Sequence, residues 1–151
     1  MAYELPKHII KDVTISFFAH ATEDPDLVLI AVSNVLPPQI LDTAKPRKTD
    51  LKGHHGNPIS LYDVLFKDAY AIEAVLRHLS EKLSLVDKQI LSDRIFSYIS
   101  DGSLYLRLDK QMALKGRFYI GREDPIRIRV RFTKKKPEVI VEACKALGLI
   151  L

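Results

Sequence analysis

Residues 126–132 read IRIRVRF, with apolar side chains at Ile126, Ile128, Val130 and Phe132 and arginines between them. Successive side chains of a strand point to opposite faces, so this period of two puts the apolar set on one face and the cations on the other. Such a strand cannot be buried on both sides. It demands a sheet with one face covered and one face open to solvent, the arrangement antiparallel sheets tolerate. SLYLRLDKQ repeats the pattern: Leu104, Leu106 and Leu108 face one way, and Tyr105, Arg107 and Asp109 the other.

What covers the apolar face is legible in the flanking segments. Residues 8–20, HIIKDVTISFFAH, are β-branched and aromatic and read as a strand. Asp24, Pro25 and Asp26 suit the N-cap and first turn of a helix carrying Leu27, Ile30, Ala31 and Val35, which Pro37-Pro38 ends. Residues 39–52 are expected to be extended, and LKGHHGNPIS (51–60) to be a turn. A long helical region is expected to follow, with Ile72, Val75, Leu76, Leu79 and Leu83 on one face and a break near Leu85-Val86-Asp87 before a second helix. Asp101-Gly102 reads as a turn, MALKG as a further turn, RFYIG as a strand, and Pro137 as the start of a last helix. The whole reads as one α+β domain over 1–151: a mostly antiparallel sheet with helices packed on one face.

Charge narrows the partners. Residues 107–136 hold eleven Lys/Arg against three Asp/Glu, whereas the rest of the chain holds twelve against sixteen. A balance of +8 in one segment and −4 elsewhere implies a localised field and a polyanionic partner. Arginines at 127, 129 and 131 stand ~7 Å apart along one face, a separation comparable to that of successive phosphates on a nucleic-acid strand. Lys134, Lys135 and Lys136 continue the run, and Arg107, Lys110 and Arg117 extend the field. Tyr105 and Tyr119 supply stacking rings. The competing readings of the stripe are a solvated outer face and a surface for an acidic protein or membrane.

Other chemistry is sparsely signalled. The lone Cys144 excludes an intramolecular disulfide and a Cys-rich zinc site, and its apolar surroundings suit a small core residue. His54 and His55 lie in a glycine-bounded turn beside Asn57, where they suit contacts to phosphate or a base. A metal-dependent hydrolase or nuclease built on His20, Glu23, His54 and His55 is the enzymatic alternative, and a protein-assembly module the third. Phosphate-loop, dinucleotide and nucleophile-elbow motifs are absent. No apolar run reaches the ~18–20 residues of a membrane span. The segment MAYELPKHIIKD does not read as a signal peptide, so the expected location is the cytoplasm.

Four segments, FFAHATEDPDLVLIAVSNVLP, LKGHHGNPISLYDVLF, DGSLYLRLDKQMALKGRFYIG and DPIRIRVRF, resemble in order and spacing an archaeal RNA-binding family described as predicted exosome subunits. GHHGNPI and LYLRLDKQ are the specific part. The resemblance implies a curved antiparallel sheet backed by helices, like the fold of the ribosomal protein that binds 5S rRNA. It also implies a non-enzymatic, RNA-related role without a cofactor, association with RNA processing, and homodimer formation. It carries over no catalytic residue.

Overall fold

A computed structural model describes residues 8–53 and 55–151. Six strands form one open antiparallel sheet in the order β2-β3-β1-β6-β5-β4. They are β1 (Ile10–His20), β2 (Arg47–Lys52), β3 (Pro58–Phe66), β4 (Ile99–Ser100), β5 (Ser103–Leu108) and β6 (Ile126–Phe132). The helices are α1 (Pro25–Val35), α2 (Ala69–Lys82), α3 (Leu85–Asp93), α4 (Lys110–Leu114) and α5 (Pro137–Ala146). None among the described residues is long and apolar enough to cross a membrane.

β1 lies between β3 and β6. Val13, Ile15, Phe17 and Ala19 point to its covered face. They merge with Leu104, Leu106 and Leu108 of β5 and Ile126, Ile128 and Val130 of β6 into one core. Val28, Val32 and Val35 of α1, Ile72, Leu76 and Leu79 of α2, and Ile140 and Cys144 of α5 close it from the other side. Burial pushes the Cys144 thiol up to about 12, so it is a packing group and not a nucleophile. Side-chain oxygens of Asp24, Asp68, Ser84 and Asp109 cap α1, α2, α3 and α4, each accepting from a first-turn N–H. Asp101 and Gly102, both at positive φ (47° and 79°), form the two-residue turn between β4 and β5.

Four local expectations are corrected. Residues 38–43 form a 3-10 helix, and only 47–52 of the expected extended segment is a strand. The stretch after GHHGN is not helical until Ala69: Pro58–Phe66 is β3, pairing with both β2 and β1. Its two faces both carry apolar residues, which hides the alternation. MALKG is not a hairpin turn, because Asp109 caps the short helix α4 there. RFYIG is not a ladder strand; it makes isolated bridges only, Leu83 to Phe118 and Leu108 to Ile120. Gly121 permits this close approach, since a Cβ there would lie 2.9 Å from the Asp109 backbone.

Candidate nucleic-acid interface

The uncovered face follows from register. Asp12, Thr14 and Ser16 of β1 stand opposite Arg131, Arg129 and Arg127 of β6, which stand opposite Ser103, Tyr105 and Arg107 of β5. Partners in an antiparallel pair share a face, so Arg107, Arg127, Arg129 and Tyr105 form one block. The guanidinium of Arg127 lies 5.4 Å from the centroid of the Phe18 ring, and that of Arg129 lies 5.5 Å from that of Tyr105. Arg129 Nε also donates to Ser103 Oγ at 3.2 Å. All three arginines are exposed, and none is ion-paired to a carboxylate among the described residues.

Arg131 departs from the stripe. A bulge at Lys11 shifts the β1–β6 register, so that Ile10 pairs with Phe132 and Asp12 with Arg131. Asp12 is only 2% exposed and accepts from Arg131 Nε at 2.9 and 3.0 Å and from its Nη2. The hydrogen bonds from Arg131 overcome desolvation and hold the Asp12 carboxyl below its usual range. Arg131 is thus a structural counter-ion, and the free stripe is Arg107, Arg127 and Arg129.

The remaining expected residues divide. Lys134, Lys135 and Lys136 are exposed in the loop entering α5, with Lys135 Nζ 3.5 Å from Asp101. Arg117 and Tyr119 are exposed on the bridging segment and not on a strand beside β6. His55 and Asn57 sit at the exposed β2–β3 tip, where Gly53 N–H donates to the Asn57 carbonyl at 2.6 Å. His54 lies outside the described residues.

Lys110 does not extend the basic field. It is 3% exposed, and its ammonium donates to the Phe18 carbonyl at 2.8 Å, to Glu23 Oε1 at 2.9 Å and lies 2.6 Å from Asp124 Oδ2. Capping of α4 by Asp109 turns the next side chain inward, where these acceptors satisfy its three N–H groups. His20 Nε2 lies 3.0 Å from Asp124 Oδ1, and the His20 backbone N–H donates to Glu23 at 3.0 Å. Desolvation works against the Asp124 carboxylate, but hydrogen bonds from Lys110 and His20 outweigh it and hold the group below its usual range.

Candidate ligand atoms of His20, Glu23 and Asp124 lie within 4.8 Å of one another, a spacing a metal ion accepts. Lys110 already supplies the cation those carboxylates need. The groove beside it, lined by Glu23, Leu27, Lys110 and Gln111, measures about 190 Å³. That is smaller than the roughly 300–1,000 Å³ of small-molecule sites.

Sequence reasoning missed Asp12, Phe18 and Asp124. The alternation of Asp12, Thr14, Ser16 and Phe18 with Val13, Ile15 and Phe17 carried the first two. Asp124 is joined to His20 across 104 positions and had no local signal.

A family model described as RNA binding matches residues 12–132. RNA-binding protein PAB1135 of Pyrococcus abyssi is 33% identical over 154 aligned positions, covering 96% of each chain. Uncharacterized protein MJ0213 of Methanocaldococcus jannaschii is 30% identical over 84% of this chain and 86% of its own. The crystal structure of protein AF2318 from Archaeglobus fulgidus superposes with a TM-score of 0.79 at 27% identity, over 91% of this chain and 99% of that one. The match spans β1 to β6, the strands that carry the arginine face, and the chain belongs to this RNA-binding family.

Proposed function

We propose that the protein binds RNA on the open face of its sheet, with no catalytic step. Arg107, Arg127 and Arg129 contact phosphates, and Tyr105 and Phe18 border them with rings. Lys134, Lys135 and Lys136 at the end of β6 add longer-range attraction. The observation that carries the reading is three neighbouring guanidinium groups without a carboxylate partner among the described residues, two of them (Arg127 and Arg129) resting on aromatic rings, in a chain of an RNA-binding family. A solvated face with no partner normally mixes signs; on this face Arg131 pairs with Asp12 and Arg47 with Asp63, while the other three arginines have no carboxylate partner among the described residues.

Fluorescence-anisotropy titration of a mixed-sequence RNA at several salt concentrations tests this. Neutralising about three phosphates gives a slope of log K against log salt of roughly −2 to −3. The Arg107→Ala/Arg127→Ala/Arg129→Ala variant loses most of that slope. A slope unchanged in the variant overturns the placement.

The resemblance noted from sequence extends the proposal to association with an RNA-processing complex such as the exosome, in the cytoplasm, and to homodimer formation. Nuclease-treated pull-down and sedimentation velocity test those extensions separately.

A further inference from the structure

The basic block covers only half of the open face. Across β1, β3 and β2 the register continues as Ser16–Asp63–Arg47, flanked by Phe18–Leu61–Thr49 on one side and by Thr14–Leu65 on the other. Arg47 and Asp63 neutralise each other at 3.2 Å. Net positive charge on this face is thus confined to β5 and β6, and beyond β1 the neutral pair and Thr49 stand among Ile59, Leu61, Leu65 and Leu51. Leu65 is 49% exposed and Leu51 42%, although both belong to paired strands. Tyr105 is 40% exposed on the cationic side.

Resting on the RNA-binding reading above, we infer that the ligand is single-stranded RNA, with its phosphates over Arg107, Arg127 and Arg129 and its unpaired bases over Phe18, Leu61 and Leu65. Strands are spaced ~4.8 Å apart, so β3 lies about 10 Å from β6. Cationic and apolar halves therefore sit side by side under one strand of nucleic acid. A duplex presents phosphates, sugars and base edges outward and keeps its base faces stacked inside. Laid on this surface it would set charged backbone against Leu65 and Asp63. An unpaired strand offers both surfaces the protein displays: an anionic edge and apolar base faces that stack on rings and cover aliphatic side chains.

The test compares a fluorescein-labelled mixed-sequence oligoribonucleotide, alone and annealed to its complement, at one salt concentration. The single strand is expected to bind at least about tenfold tighter. Leu61→Ser and Leu65→Ser, both on the open face of β3, each weaken single-strand binding by about tenfold without altering its salt slope. Thermal melts verify that both variants fold. Equal or tighter duplex binding overturns the inference. So does unchanged affinity in both variants, even while the triple arginine variant loses binding and the RNA face stands. A shift in sedimentation coefficient in place of RNA affinity assigns the apolar half to a second copy and also overturns it. If the arginine variant binds normally, the RNA-face reading itself fails.

Discussion

Arg131 and Arg129 are two positions apart on one face of one strand, yet they do different work. Arg131 is held by a carboxylate buried beneath it, and Arg129 lies over a ring. Removing Arg131 leaves Asp12 buried without its partner, so Arg131→Gln destabilises the fold. The pH dependence follows from the Asp12 carboxyl, whose folded value lies below its unfolded one. Its contribution is complete above the unfolded value of about 3.9 and is lost as pH falls through the folded value. Urea-unfolding midpoints taken downward from about pH 5 should fall through this range in the wild type. Arg131→Gln should start lower and lack that component. The IRIRVRF alternation made the strand and the facing of its arginines legible, but Asp12 is 119 positions from Arg131, and nothing local links them. A cationic stripe read from sequence therefore overstates the free charge by one residue.

At the scale of elements, Lys110 joins the end of β1, the start of α1 and the approach to β6. It does so through the Phe18 carbonyl, Glu23 and Asp124. Phe18 and Arg127 lie on either side of this junction, so the buried ammonium holds the two strand ends that frame the arginine block. Lys110→Met takes the ammonium away from a carbonyl and from two carboxylates, which keep only their His20 contacts. It should cost about 3 kcal/mol of stability, measured by urea unfolding at neutral pH. Such a junction was invisible in sequence because a lysine beside Asp109 reads as exposed charge. The elements with a single period, β1, β5, β6 and α2, were legible. β3 was not, because Leu61 and Leu65 put apolar residues on the face where a strand usually displays polar ones. That departure from simple patterning marks the apolar half of the proposed RNA surface.

At the scale of the molecule, the helices close one face of the sheet and leave the other open. The +8 segment contributes β6 and the end of β5, so the charge asymmetry of the sequence becomes an asymmetry across the sheet. Fold class was legible because alternation and helix caps are local signals. The division of the open face into cationic and apolar halves was not, because it arises from the strand order β3-β1-β6-β5, which brings distant segments side by side. The most direct measurement is an NMR titration of arginine Nε–H resonances with a short single-stranded RNA. The account predicts that Arg107, Arg127 and Arg129 shift and saturate together, while Arg131, bound to Asp12, and Arg77, paired with Glu73 on α2, stay in place. Shifts confined to Arg77 and Arg94, with the three open-face arginines silent, would contradict it.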